Sequence, residues 1–461
     1  MTHVQILPAF DFETVDEKNQ KAQYNWGYDP DNYNVPEGSY AVSPYDGAVR
    51  IQEMKQMVLA LHSRGIGVIM DVVFNHTYRR DDSNLQKIVP GYYYRSDETG
   101  YTNGSGCGNE VASDRPMVQK LIVDSLIYWA KEYHIDGFRF DLMGVLDIDT
   151  MNVIAERLKE IRPDIYLYGE GWNGGPSSLA EEKRAFKASA KKMPGIGMFN
   201  DDIRDTIKGS VFYDDHLGFV NGGTHLENAL RYGITGAVAH PQVDYDAYGS
   251  RPWAKEPGQS INYVSCHDNY TLWDKLSVSC PEASEEKKKA MNRLCAAIVF
   301  TSQGVPFIQA GEEFLRSKPL PEKKGFAENS YNMPDAVNSI KWDNIHEYPD
   351  MIAYYKGLMA LRKAHPVFRM QSEAEMTQNL CFLSDTPENV VAYLLKGKGA
   401  DDTPENILVI FNGNDEEILY NLPEGKWKIL VDDKTAGADG KKNISEKADV
   451  EPLSALVLEK E

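Results

Sequence analysis

The sequence predicts a parallel α/β fold of the TIM-type (β/α)₈ barrel kind, followed by a small all-β sandwich domain. Two observations carry this. For most of the 461 residues, short apolar or β-branched runs alternate with amphipathic helical patterns, the signature of parallel βα units. Beyond the helical stretch at 352–361 the rhythm changes to strands joined by tight turns. In chain order the parallel strand candidates are residues 4–7, 67–74, 137–142, 165–169, 197–199, 261–265 and 306–310. Between them, apolar residues recur at steps of three and four: Ile51, Met54, Val58, Leu61; then Val118, Leu121, Ser125, Trp129; then Met151, Ile154, Leu158, Ile161. Asp149 or Thr150 is the expected N-cap of the third. Seven candidates leave the barrel one strand short of eight.

Two insertions interrupt the rhythm, 77–116 and 200–259, and segments of that size in a compact domain are usually binding or lid loops. The catalytic domain is expected over 1–367. The β domain is expected over 368–461, with strands at 390–395, 407–411, 427–431 and 453–458.

Composition narrows the function. Against 69 acidic side chains stand 49 Lys and Arg, a net charge of −20, which argues against a nucleic-acid backbone or an anionic membrane as partner. The richest apolar stretch, 294–300, is far short of the roughly 20 residues needed to cross a bilayer. Five scattered Cys form neither a disulfide framework nor a zinc knuckle. The first 13 residues do not resemble a signal peptide, which leaves the compartment open.

The strand candidates end in ionisable or polar side chains: Asp71-Val-Val-Phe-Asn75-His76, Phe138-Arg139-Phe140-Asp141, Tyr168-Gly169-Glu170 and Val264-Ser265-Cys266-His267-Asp268-Asn269. In a βα barrel the C-terminal strand ends face one mouth, so these groups would converge there. Alternation puts Arg139 and Asp141 on one side of their strand and Phe138 and Phe140 on the other. An Arg beside a carboxylate favours the ionised, oriented form a nucleophile requires, which makes Asp141 the candidate. Glu170, between Gly169 and Trp172, is the candidate acid, since a partly dry aromatic wall raises a carboxyl pKa. Each feature alone has a plainer explanation. Arg139 and Asp141 read as a structural ion pair, Glu170 as a helix N-terminal charge, His267-Asp268 as a turn, and Asp71 with His76 as a buried network. Four such endings on one mouth shift the balance towards a shared site, although for Asp71 the structural role stays ahead. Three carboxylates with His, and no Cys/His metal spacing, favour glycosidic chemistry over a metallohydrolase. No Gly-x-Ser-x-Gly elbow, phosphate loop or dinucleotide fingerprint occurs.

With these residues assembled, the sequence resembles the α-amylase superfamily, glycoside hydrolase family 13, whose four sequence regions the four runs match in order. Tyr24-Asn25-Trp26-Gly27-Tyr28-Asp29-Pro30 is similar to the signature of type I pullulanases, which cut α-1,6 branch linkages in pullulan and amylopectin. Further pullulanase-like stretches are Pro90-Gly-Tyr-Tyr-Tyr-Arg95, Gly104-Ser-Gly-Cys-Gly-Asn-Glu-Val111 and Glu328-Asn-Ser-Tyr-Asn332. The resemblance implies a retaining α-1,6-glucan hydrolase acting on pullulan and related branched α-glucans. In it Asp141 is the nucleophile, Glu170 the acid/base, and Asp268 the third carboxylate, binding sugar hydroxyls. Arg139, His76 and His267 line the same subsite and Asp71 supports it. Tyr28 and Trp172 are stacking candidates, and Asn332 and Asp335 are candidate sugar contacts. Where the family usually carries Glu-Ala or Glu-Ser before His-Asp, this chain has Ser265-Cys266. Family members also carry N-terminal β domains and a first barrel strand ahead of Thr2-His3-Val4, so an upstream segment is expected to be missing. The chemistry requires no cofactor. Calcium stays open: Asn75 and the 77–116 insertion offer oxygen ligands, but no dense Asp/Asn loop specifies a site. The rivals are a non-catalytic α-glucan-binding remnant, an α-1,4-acting amylase and a glycogen-debranching relative.

Overall fold

A computed structural model describes residues 1–248, 250–399, 404–440 and 442–461. The chain divides into two compact units, Met1–Phe199 with Tyr331–Pro334, and Asn200–Ser330 with Asp335–Glu461. The sequence boundary near residue 368 falls inside the second.

In the first unit five parallel strands follow one another in chain order: His3–Ile6, Gly67–Val72, Gly137–Phe140, Tyr166–Gly169 and Ile196–Phe199. Each pairs with the next, through registers such as Gln5 with Ile69, Asp71 with Arg139, Phe140 with Gly169 and Gly169 with Met198. Sequential parallel order of this kind is what repeated right-handed βα crossovers produce. All five lie where the apolar runs predict them, because a strand covered on both faces reads as nearly continuous apolar sequence. Close strand packing fixes Gly169: a Cβ there would come within 2.5 Å of the Phe140 carbonyl oxygen, so only glycine fits the position before Glu170.

Helices Gly47–His62, Pro116–Glu132 and Ile148–Ile161 form over the predicted stripes, with Met54 and Val58, Val118 and Trp129, and Ile154 and Leu158 buried, but Ile51 is 38% exposed, so the first stripe is narrower than its spacing predicts. The third helix is capped by Asp147 rather than by Asp149 or Thr150. Its side chain accepts from the Thr150 N–H, and its extended backbone (φ −89°, ψ 153°) marks the residue before the first turn. An irregular hairpin, Phe10–Phe12 with Pro30–Pro36, encloses the Tyr24 to Pro30 motif. Within that motif Asn25 accepts from the Gly27 N–H and donates to Thr14, and Gly27 takes a φ of 95°. The 77–116 insertion is not an open loop. It contains the helix Asn84–Ile88 and a two-stranded hairpin, and buried Arg95 pairs with Glu110 at 2.9 Å and Asp114 at 2.8 Å.

The second unit contains the parallel pair Ser260–Asn262 and Val305–Pro306. The 200–259 insertion is not all loop: it contains the helices Asp201–Lys208, Glu227–Ile234 and Tyr245–Tyr248, with turns and extended chain between them. Helices Leu272–Ser279, Glu285–Thr301 and Pro349–Ala364 follow. Six antiparallel strands form the C-terminal sheet, in the order Leu380–Phe382, Val390–Lys398, Pro404–Asn412, Ser454–Lys460, Ile418–Val431, Asn443–Val450. Its core gathers Ala392, Leu408, Ile410, Trp427, Leu456 and Leu458. Among the described residues this is one hydrogen-bonded sheet rather than the two of a sandwich, and a register shift between Asn421 and Lys426 interrupts its longest strand. No helix among the described residues is long and apolar enough to cross a membrane.

Candidate active site

At the C-terminal ends of three neighbouring strands of the first unit, a single guanidinium organises the acidic residues. Arg139 is almost fully buried. Its NH1 lies 3.0 Å from Asp71 Oδ1 and 2.8 Å from Asp141 Oδ1, and its NH2 lies 2.7 Å from Glu170 Oε1. Period-two geometry produces this arrangement: Arg139 sits opposite Asp71 in register, Asp141 follows two residues later on the same side, and Glu170 follows the next strand. Phe138 and Phe140, on the other side, are fully buried, as alternation predicts.

The three carboxylates are not equivalent. Asp71 is sealed, with no side-chain exposure, whereas Asp141 and Glu170 keep 12% and 8%. Asp71 Oδ2 accepts from Tyr28 OH at 2.7 Å and from Gln5 Nε2 at 3.2 Å. Burial pushes the Asp71 carboxyl up to about 7, the Arg139 guanidinium opposes that, and Asp141 adds to it. Its geometry is that of a support for Arg139 and Tyr28, the structural role that the sequence put first. Burial works against the charge of Arg139, but Asp71 and Glu170 beside it hold the group protonated.

Asn75 donates to Asp141 Oδ2 at 2.8 Å and to the Asp141 carbonyl at 2.9 Å, so the nucleophile candidate is held from two sides. The sequence offered Asn75 as an oxygen ligand for calcium; here its amide nitrogen holds Asp141, and its oxygen lies 2.5 Å from His76 Nδ1. Burial lowers the pKa of His76, and a neutral imidazole both donates and accepts, which suits sugar hydroxyls. The carboxyl of Glu170 is largely buried. Its oxygens meet Arg139 and the backbone N–H of Leu142 (2.8 Å), while half-buried Trp172 lies two residues on. Leu142 takes a left-handed backbone (φ 38°), turning the chain so that its N–H reaches Glu170. Tyr28 has Arg139 5.6 Å from its ring centroid and Trp26 edge-on.

Asn332 is exposed on the short stretch that belongs to the first unit, where the Tyr331 carbonyl accepts from the Trp26 N–H. Asp335 is exposed at the start of the second unit's helix Asp335–Asn338. His267 and Asp268 lie in the second unit, beyond the strand Ser260–Asn262, with His267 Nε2 3.4 Å from Asp268 Oδ2. Ser265, where the family usually has another residue, donates to buried Glu312 at 2.6 Å. Sequence reasoning missed Gln5, the Leu142 N–H and the clamp that Asn75 forms on Asp141; no local pattern marks any of them.

A strand-end cluster with two partly open carboxylates on one buried Arg suits displacement at an anomeric carbon. Residues 377–435 match the family model described as "Pullulanase, all-beta domain". A solved pullulanase from Paenibacillus barengoltzii, in complex with maltohexaose and α-cyclodextrin, is 44% identical and superposes with a TM-score of 0.91, over 100% of this chain and 69% of that one. The chain belongs to the pullulanase family. The pullulanase structure from Bacillus acidopullulyticus, 43% identical with a TM-score of 0.93, is covered to 54% of its length. The pullulanase of Bacillus subtilis strain 168 is 42% identical over 434 residues, which is 94% of this chain and 58% of the relative. The chain thus spans just over half the length of these last two family members.

Proposed function

We propose that this chain carries the catalytic machinery of a retaining debranching enzyme that hydrolyses α-1,6-glucosidic bonds in pullulan and amylopectin. The observation that supports this best is the sharing of Arg139 by Asp141 and Glu170. Retaining glycosidases keep their two carboxyl groups roughly 5–5.5 Å apart, and two groups bonded to one guanidinium are close neighbours. Asp141 attacks the anomeric carbon and forms the glycosyl ester while Glu170 protonates the departing C6 oxygen. Glu170 then takes a proton from water, which attacks the anomeric carbon and frees Asp141 with retention of configuration. Asp268 binds hydroxyls of the sugar whose bond breaks, His76 and His267 line that subsite, and Tyr28 and Trp172 offer ring faces to the glucan. Asn332 and Asp335 are the outer contacts. Incubation with pullulan, with products separated by chromatography, tests the reading: maltotriose is expected, and linear amylose should remain uncut. Panose-type products or rapid amylose cleavage would assign an α-1,4 specificity instead, and binding without turnover a glucan-binding remnant.

The finer architecture is also a proposal: a barrel completed by a strand and helix upstream of Met1. The strand His3–Ile6 is an edge, paired on one side with Gly67–Val72. Near it an apolar cavity of about 340 Å³ is lined by Ile6, Leu7, Ala9, Met54 and Met57, with Glu37, Arg50 and Glu53 among its polar neighbours. Bare strand edges and open apolar walls favour aggregation. A version extended by an upstream strand and helix should therefore unfold at a temperature several degrees higher and turn over pullulan faster than residues 1–461 alone. Equal melting temperature and turnover in the two forms would remove this part of the proposal.

A further inference from the structure

The turn that carries Asp268 is held from beneath by a lysine that the mechanism above does not use. Lys318 is 1% exposed. Its Nζ lies 2.6 Å from the Asn269 carbonyl oxygen, 3.4 Å from that of His267 and 3.1 Å from that of Glu328. Two of these carbonyls bracket Asp268, and the third belongs to the Glu328-Asn-Ser-Tyr-Asn332 motif. Lys318 itself cannot drift. Its N–H donates to Asp274 Oδ2 at 2.8 Å, its carbonyl accepts from the Ala327 N–H at 2.8 Å, and the neighbouring Ser317 hydroxyl donates to Asp274 Oδ1. Asp274 is in turn fixed in the first turn of the helix Leu272–Ser279, where its N–H donates to Thr271 Oγ1.

The turn needs such a hold. Asn269 adopts a left-handed backbone (φ 58°), a conformation that Asn tolerates better than other side chains but that still turns the chain sharply just after Asp268. The Asp268 side chain is 45% exposed, so its own packing does little to fix its direction. We infer that Lys318 is the positioning residue for Asp268, its ammonium gathering the carbonyls on either side so that the carboxylate faces the sugar. This rests on the reading of Asp268 as the third carboxylate.

The device is sensitive to protonation. An ammonium has three N–H donors for the three carbonyls, whereas a neutral amine has two and exposes a lone pair to the third. Burial lowers the Lys318 pKa to about 8, Asp274, Cys266 and Asp268 raise it, and Arg316 lowers it further. The group is therefore charged below about pH 8 and loses its clamp above it. Misplacing a reacting group by about 1 Å costs roughly 10²-fold in rate.

Lys318→Met and Lys318→Arg, compared with the wild-type chain, test this. A maltosyl fluoride substrate needs little acid assistance, so its alkaline limb does not report Glu170. On it, wild-type kcat should fall above about pH 8. Lys318→Met should lose roughly 10²-fold in kcat at pH 6–7 with a much smaller change in KM, and have no such limb. Lys318→Arg, charged throughout, should recover most of the rate and keep it past pH 9. Amide hydrogen exchange of the 266–270 segment gives a readout that does not need turnover: it should accelerate in Lys318→Met and stay near wild type in Lys318→Arg. A Lys318→Met variant with wild-type kcat, or with unchanged exchange in that segment, would overturn the inference. Failure of the wild-type chain to cut pullulan would count against the debranching reading alone, and the exchange measurement would still decide the role of Lys318.

Discussion

Asp141→Asn is expected to lose pullulan turnover by roughly 10⁴-fold or more while still binding maltotetraose. The amide keeps the shape of the carboxylate but cannot form the glycosyl ester, so the covalent route closes. The surroundings sharpen the expectation. Asp141 Oδ1 accepts from Arg139 and Oδ2 from Asn75, both at 2.8 Å. An amide offers one acceptor atom in place of two, so its NH₂ must face a donor, either the guanidinium or the Asn75 amide. Leaving such a donor without a partner costs about 1–3 kcal/mol, and a modest drop in melting temperature should accompany the loss of activity. Calorimetric titration with maltotetraose, thermal unfolding and a pullulan assay on one preparation separate the two effects. Substantial residual hydrolysis by a pure variant would take the nucleophile role away from Asp141.

Much of the arrangement around Arg139 is legible in the sequence because its logic is local. A strand has period two, so Arg139 and Asp141 had to share a side and Phe138 and Phe140 had to oppose them, and the structure buries both Phe. The parallel strands were legible for the same reason, each being a short, nearly continuous apolar run. What escaped is long-range or short-lived in sequence. Asn75 meets Asp141 across 66 residues, and Lys318 meets the Asp268 turn across about 50, with no periodicity to announce either. The helix Asp201–Lys208 is only eight residues long, too short to stand out from the polar, Gly-rich segment around it. Strand Asn443–Val450 escaped because it is an edge: it reads Asn-Ile-Ser-Glu-Lys-Ala-Asp-Val, charged where a central strand would be apolar, as edges that resist further pairing are. Capping by Asp147 rather than Asp149 turns on a backbone angle, and two aspartates two residues apart look alike until that angle is known.

Glu170→Gln separates the two steps that one carboxyl is proposed to serve. In the first step Glu170 supplies a proton to the leaving oxygen, and on pullulan, where that oxygen is a poor leaving group, its loss should lower kcat by roughly 10²–10⁴-fold. A substrate with a fluoride or dinitrophenolate leaving group needs little protonation, so formation of the glycosyl ester on Asp141 should largely survive. The second step needs Glu170 as a base towards water and should then become limiting. A burst of leaving group followed by a slow steady rate is the expected trace. Azide, which attacks without a base, should restore the steady rate and yield a glycosyl azide of retained configuration. The fold should tolerate the change, because Gln can still accept the Leu142 N–H on its remaining oxygen and turn its NH₂ towards Arg139, at the expense of the 2.7 Å ion pair. The lost pair predicts a lower melting temperature, and that penalty is common to both substrates; a difference between them therefore reports chemistry and not folding. Equal losses on pullulan and on the activated substrate, with no burst and no rescue by azide, would show that Glu170 does not exchange the proton, and the acid/base role would have to pass to another carboxyl group.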